Sequence, residues 1–449
     1  MRLILLSGGS GKRLWPLSND TRSKQFIRLL DAPDGSKESM VQRVVRQFKE
    51  AGITDTVTIA TSAAQCDTIT NQLGEKKVDV VTEPERRDTF PAIALASSYL
   101  KYEKQCGDDE IVVVMPCDPY TELEYFHAID CMVKAVEADV AELMLMGITP
   151  TYPSVKYGYV VPKMDSLDSG LYLVSRFTEK PDVATAEKLI AEHAFWNGGV
   201  FAFRLGYMMD IASRYVQADN FAEVHSRYGE FPKISFDYEV AEKAASVAVV
   251  PFSGQWKDLG TWDTLTDELR DHVVGNVITD GDTGNTHIIN ELDLPIMCMG
   301  TDGLVIAASN DGIIVTEKSR SENIKKYADQ LQRRPMYEER RWGEYRVIDT
   351  MEFPDGHKTL AKRLHIKAGK GISYQVHRHR DEVWTFVDGE GELVLDGIRS
   401  VIGRDDTVTI KKGIKHAIRA ISDLTFIEVQ SGNLLVEEDI ERFAWSWNT

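Results

Sequence analysis

Leu6-Ser7-Gly8-Gly9-Ser10-Gly11-Lys12-Arg13-Leu14-Trp15-Pro16-Leu17 continues the apolar run that begins at Leu3. A short apolar run ending in glycines reads as a buried strand. The glycine-rich turn then lies at the strand's carboxyl end. Two phosphate-binding patterns fail here. A Walker A loop would need Gly at position 6 and Ser or Thr at 13, where the chain has Leu6 and Arg13. The dinucleotide pattern GxGxxG would need a third glycine where Leu14 stands. What remains is a loop whose glycines let backbone N–H groups approach phosphate oxygens, with Lys12 and Arg13 to neutralise them. On composition alone, a tight strand-to-helix turn with surface bases fits equally well.

Working outward, strands are expected at 57–60, 78–81 and 111–115, and helices at 62–73 (with Ser62 as N-cap), 88–102 and 125–138. Strands alternating with helices imply a parallel sheet covered on both faces. From about 150 the strands 157–161, 171–176 and 200–203 lie among Pro, Gly and aromatic residues, an extension suited to a substrate pocket. A helical run around Leu265 to Leu269 closes this region. In 276–318, short apolar pairs separated by Gly, Asp and Asn suggest one or two coils of a β-solenoid. The charged stretch 318–342 reads as a helix followed by a linker. Strands at 358–366, 383–387, 392–396, 407–410 and 424–430, with glycine turns between them, suggest a small antiparallel barrel or jelly roll. The expected domains are 1–272, a bridge and charged linker at 273–341, and a barrel at 342–449.

The 449 residues suffice for three domains at about 150 residues each. A net charge of −18 opposes sequence-independent nucleic-acid binding and anionic membranes. Five cysteines, widely spaced and without a CxxC, suit a reducing cytoplasm and oppose a disulfide scaffold or a thiolate zinc site. The apolar run at the start is too short for a signal peptide. No stretch reaches the roughly 18 apolar residues of a membrane span.

Leu14-Trp15-Pro16-Leu17-Ser18, followed by Lys24-Gln25-Phe26, resembles the signature of sugar-phosphate nucleotidyltransferases, and in particular mannose-1-phosphate guanylyltransferases. The family has Pro where this chain has Ser23. The resemblance implies a Rossmann-like α/β domain with a mixed, mainly parallel sheet. It implies transfer of GMP from GTP to mannose 1-phosphate, and nucleotide contacts from Gly8, Gly9, Gly11, Lys12 and Arg13. Arg13 and Lys24 would neutralise phosphate. Asp118, at the end of the most apolar strand, and Asp258, before a glycine turn, resemble the family's two Mg²⁺-binding aspartates. Each alone could simply cap a turn. The chain departs from the family at Pro119-Tyr120-Thr121.

Glu83 to Ile93 resembles the segment that reads the base, with Glu83, Arg87 and Asp88 toward the nucleotide. The usual Asn is Asp88 here, which a helix N-cap would also explain. Gly158, Glu179, Lys180 and Asn197 fall in three segments that resemble the sugar-phosphate pocket, with Lys180 on the attacking phosphate.

Further on, Gln375, His377 and His379 alternate along an expected strand and so share a face. With Glu382 and His416 they suggest a divalent metal site. The pattern resembles the cupin half of two-domain guanylyltransferases, similar to type II phosphomannose isomerases. That resemblance implies Gln375, His377, Glu382 and His416 as ligands of Zn²⁺ or another divalent ion. Lys411 replaces the customary Pro, and the chain lacks the family's Asp-x-Tyr-Gly-Arg ending. Four readings stay open: isomerisation of mannose 6-phosphate and fructose 6-phosphate, another sugar 1-phosphate or base, a structural cupin, and a silent sugar-nucleotide sensor. A homo-oligomer is compatible with all of them.

Overall fold

The computed structural model describes residues 1–9, 11–53, 56–74, 78–166, 170–331 and 333–447. Ser10 of the glycine-rich loop and Asn448-Thr449 lie outside them. The described chain forms two compact units. One comprises Met1–Gly11, Ser23–Cys66 and Gln72–Arg270; the other Lys12–Arg22, Asp67–Asn71 and Asp271–Thr449.

Leu3, Ile4 and Leu5 are fully buried inside the strand Arg2–Ser7. It pairs in parallel with Val57–Ser62 on one side and Ile111–Pro116 on the other. These strands belong to a nine-stranded sheet. Its order is Asp79–Glu83, Val57–Ser62, Arg2–Ser7, Ile111–Pro116, Phe195–Arg204, Leu143–Ile148, Val247–Phe252, Tyr172–Thr178 and Tyr159–Ser166. The first four strands are parallel throughout. Phe195–Arg204 runs antiparallel to both of its neighbours. Leu143–Ile148 and Val247–Phe252 restore parallel pairing, and the last two strands are antiparallel. The sheet is therefore mixed. Helices Thr89–Tyr102 and Leu123–Glu137 bury apolar faces against it, through Phe90, Ile93 and Leu100 and through Tyr125, Phe126 and Ile129. Ser62 does not cap the following helix, Ala63–Leu73. It still belongs to the strand, and its hydroxyl makes no hydrogen bond.

In the second unit, Val273–Val274, His287–Asn290 and Leu304–Ser309 stack in parallel, as do Val277–Thr279 and Ile296–Cys298. This is the short solenoid-like array expected from the spaced apolar pairs. Among the described residues, helical structure in the charged stretch is confined to Lys318–Asn323 and Ile324–Ala328. The segment expected to be a linker contains a strand, Tyr337–Arg340, paired with Gly343–Glu352. Its charges are satisfied within the unit: Glu338 bonds Arg340, and Glu339 accepts from Asn71 at 3.1 Å. Neutralised charges do not prevent strand formation.

Beyond it, a six-stranded and a five-stranded antiparallel sheet make a double-sheet barrel. Trp384, Phe386, Leu393, Ile418, Leu424 and Phe426 fill its core. No helix among the described residues is long and apolar enough to cross a membrane.

Candidate functional sites

Asp118 and Asp258 are 140 positions apart in sequence. Two features bring them together. Ile111–Pro116 delivers Asp118 just beyond the carboxyl end of the strand beside Arg2–Ser7, the end where open α/β sheets bind ligands. A short ribbon then pairs Pro119–Thr121 with Trp256–Asp258, placing Asp258 opposite Pro119. The Lys24 ammonium lies 2.8 Å from Asp118 Oδ2 and 2.7 Å from Asp258 Oδ1. Burial alone would lower the lysine's pKa, but the two carboxylates outweigh it and hold the ammonium charged. Two carboxylates sharing one cation form an oxygen donor set that fits a hard divalent ion such as Mg²⁺. The neighbouring Cys117 thiol is pushed up by burial and is inert as a nucleophile.

The glycine-rich loop is held by a buried polar network. Ser23 Oγ donates to the Gly9 carbonyl at 2.5 Å and accepts from Gln65 Nε2 at 2.6 Å. Gln25 Nε2 donates to Ser7 Oγ, and Thr61 Oγ1 donates to Gln65 Oε1, both at 3.0 Å. Proline at 23 would have no hydroxyl to join this network, so the departure from the family is built into the loop's support. Gly11 adopts φ +60°, and a Cβ there would stand 2.4 Å from the Lys24 backbone nitrogen. Only glycine fits. Gly8 lies near Glu83, whose Oε1 would be 3.9 Å from a Cβ at position 8. Lys12 belongs to the second unit, where Asp20 and Asp329 engage it at 3.5 and 3.4 Å. Arg13, in the same segment, is exposed.

In the segment expected to read the base, Glu83 is buried and accepts from the Tyr228 hydroxyl at 2.7 Å. Burial raises its pKa. Arg87 is tied to Glu85 at 2.7 Å and to the Phe231 carbonyl at 3.0 Å. Asp88 caps the helix by accepting from the Thr89 N–H at 2.8 Å.

Gly158, Glu179, Lys180 and Asn197 converge. A Cβ on Gly158 would stand 2.3 Å from Glu179 Oε2, so glycine is what admits this carboxylate. Glu179 Oε1 accepts from Lys180 Nζ at 2.5 Å. Asn197 Oδ1 accepts from the Gly199 N–H at 3.0 Å, while its Nδ2 donates to Asp237 at 2.5 Å. Beside them Tyr157 packs against Trp196 and Trp256, with ring centroids 5.0 and 5.2 Å apart.

In the barrel, ligand atoms of His377, Glu382 and His416 all lie within 4.8 Å of one another, and all three residues are buried. His377 Nδ1 and His416 Nδ1 face the carbonyls of Asp439 and Ile414, at 2.5 and 3.1 Å. That directs each Nε2 lone pair inward. Burial lowers the pKa of both imidazoles, that of His416 to about 4. His416 Nε2 and Glu382 Oε2 are buried without hydrogen-bond partners, 3.6 Å apart. Buried orphan donors of nitrogen and oxygen type fit a borderline divalent ion such as Zn²⁺. Gln375 Nε2 lies 3.3 Å from His377 Nε2. Arg380, also buried, donates to Glu382 Oε1 at 2.8 Å. His379 does not join the cluster. The strand ends at Val376, so alternation stops there and His379 is exposed.

Comparison with known proteins decides the assignment. The family model for nucleotidyl transferases matches residues 2–273, and that for the mannose-6-phosphate isomerase C-terminal region matches 328–444. The chain belongs to the nucleotidyl transferase family. It is 31% identical to the xanthan biosynthesis protein XanB of Xanthomonas campestris pv. campestris (strain B100), over 98% of this chain and 97% of that one. It is 29% identical to the mannose-1-phosphate guanylyltransferase of Escherichia coli (strain K12), with the same coverage. The crystal structure of mannose-1-phosphate geranyltransferase from Thermus thermophilus superposes with a TM-score of 0.61 at 26% identity, covering 74% of this chain and 99% of that one.

Within this nucleotidyl transferase, the sequence assigns no role to Asp237, Gln65, Arg380 or Asp439. Asp439 accepts the backbone N–H groups of Arg378 and His379 at 2.9 and 3.1 Å, fixing the turn that carries His377. No local pattern marks Asp237 or Gln65. Arg380 had a signal, since a basic residue two positions before a ligand on one strand shares its face.

Proposed function

We propose that this nucleotidyl transferase transfers GMP from GTP to α-D-mannose 1-phosphate, giving GDP-mannose and pyrophosphate. The observation that carries this reading is the Asp118–Lys24–Asp258 constellation at the strand ends, in a chain aligned end to end with guanylyltransferases. The assigned boundaries are 1–272 for the transferase, 273–341 for the bridge and 342–449 for the cupin.

A sugar-phosphate oxygen attacks the α-phosphorus in line and pyrophosphate departs; positioning and charge neutralisation supply the catalysis. Arg13 and Lys24 neutralise the triphosphate. Gly8, Gly9, Gly11 and Lys12 line the nucleotide, and Glu83, Arg87 and Asp88 lie toward its base. Asp118 and Asp258 hold Mg²⁺, which supplies charge stabilisation at the phosphates when bound. Lys180 orients the attacking phosphate, and Gly158, Glu179 and Asn197 hold the sugar. The reaction is placed in the cytoplasm, feeding polysaccharide assembly, in a chain that associates with copies of itself.

The test is a matrix of nucleoside triphosphates against sugar 1-phosphates with pyrophosphate detection. Release is expected with GTP and mannose 1-phosphate. Release only with another pair overturns the substrate assignment.

The orphaned Glu382 and His416 atoms favour a second activity, interconversion of mannose 6-phosphate and fructose 6-phosphate at a cupin metal held by Gln375, His377, Glu382 and His416. Metal analysis and a coupled isomerase assay on the full chain test it. A metal-free, inert protein rejects it.

A further inference from the structure

Asp237 opens a π-helical turn, Asp237–Ala241, whose wider winding is common at functional sites. Its Oδ1 takes one Asn197 amide hydrogen at 2.5 Å, and the Asn197 oxygen is committed to Gly199. The amide is therefore locked with its donor side toward Asp237. Glu179 approaches the same place through the space that Gly158 leaves open. Two carboxylates thus lie beside the Asn197 amide and Lys180, whose ammonium is bonded to Glu179. Burial, then repulsion from Glu179, raises the Asp237 pKa to about 6. The arrangement sets two like charges near each other, and Asp237 takes one side-chain hydrogen bond, from Asn197, which leaves its carboxylate capacity to accept another. Ring hydroxyls of a sugar are donors, and hydrogen bonds to ionised carboxylates are the stronger kind.

We propose that Asp237 is a specificity-determining residue of this pocket, accepting a ring hydroxyl of the sugar phosphate beside Glu179. The proposal rests on the reading of the pocket as the sugar-phosphate site. It has a signature that a structural role lacks. Asp237→Asn keeps the shape and the contact to Asn197 but removes the like-charge repulsion. The variant should bind sugar less well while melting no lower than the native protein.

The experiment compares Asp237→Asn, Glu179→Gln and the native full chain by initial rates and thermal unfolding. The expected result for Asp237→Asn is a KM for mannose 1-phosphate raised about tenfold, the scale of a lost hydrogen bond to a charged group. The KM for GTP should stay unchanged, the preference for mannose 1-phosphate over glucose 1-phosphate should shrink, and Tm should be equal or higher. A lower Tm with both KM values raised means a structural residue and overturns the proposal. A raised KM in Glu179→Gln alone overturns the role of Asp237 and leaves the pocket standing. No change in either variant overturns the pocket reading and the proposal with it.

Discussion

The transferase site and the barrel cluster each gather carboxylates around a cation, but by different means. In the first, Asp118 and Asp258 come from a strand end and a two-stranded ribbon. A flexible, partly accessible lysine joins them. In the second, Glu382 comes from the middle of the barrel wall, and the rigid Arg380 guanidinium bonds it at 4% exposure. Lysine's ammonium is a mobile point charge, whereas Arg presents a fixed planar fork. The proposed nucleotide site, which would admit a triphosphate with its metal, suits the former. A site that keeps neutral imidazoles dry suits the latter. The lesson is that burial disfavours the charged form in both places and the charge partners decide the outcome: His416 is buried neutral, while Lys24 is kept charged by two acids.

The comparison breaks most directly at the aspartates. Asp118→Asn or Asp258→Asn should lower kcat for pyrophosphate release by about a thousandfold, on the scale of lost transition-state charge stabilisation. The metal content of the barrel should stay unchanged by elemental analysis. Retained turnover would remove these carboxylates from the mechanism.

The converse test is Asp439→Asn, which loosens the turn carrying His377. Metal affinity should fall on the order of 10- to 100-fold, as for other partners of metal ligands. Pyrophosphate release should be untouched. Unchanged affinity by chelator competition would sink that role.

A smaller effect separates the two regions by pH. In the barrel, burial alone would raise the Glu437 pKa, but Lys362, 2.8 Å away, and Arg334 pull it down to about 2. A folded pKa below the unfolded value of 4.5 adds stability that is present above pH 4.5 and lost as pH falls toward 2. Asp237 has the opposite sign. Its folded pKa near 6 exceeds the unfolded 3.8, so its unit loses stability as pH rises through that window. Hydrogen exchange on strands of each unit should show Glu437→Gln flattening the acid slope of the barrel. Asp237→Asn should flatten the 4-to-6 slope of the transferase sheet. Equal slopes in native and variant proteins would refute the assignment.

The smallest expected effect is Gly158→Ala. The new Cβ displaces only the flexible end of Glu179. The KM for mannose 1-phosphate should rise a few-fold, with stability changed by less than about 1 kcal/mol.

Much of this was legible in the chain. Leu3-Ile4-Leu5-Leu6 before glycines, and Ile111 to Met115 before Asp118, are apolar runs whose period and length specify buried parallel strands. The spaced apolar pairs of the bridge and the glycine-punctuated strands of the barrel were equally local signals. Ser62 was misread because strand pairing to its last residue outweighed its capping preference. Tyr337–Arg340 reads as a linker because Glu339 and Arg340 find partners, Asn71 and Asp67, on a distant segment, which composition cannot register. His379 was misread because alternation holds only while the strand continues.

The sequence by itself determined the chemical inventory: the glycine loop, the two aspartates, the Glu-Lys pair and the histidines. Each is fixed by residue type and local spacing. Only tertiary structure decided which of them meet. The 119–121 and 256–258 ribbon joins Asp118 to Asp258 through Lys24, and a π-helical turn delivers Asp237 to Asn197. Ser23 and Gln65 meet beneath the glycine loop. These contacts join residues 40 to 234 positions apart. At such separations local preference carries no information, and the packing of the sheet sets the geometry.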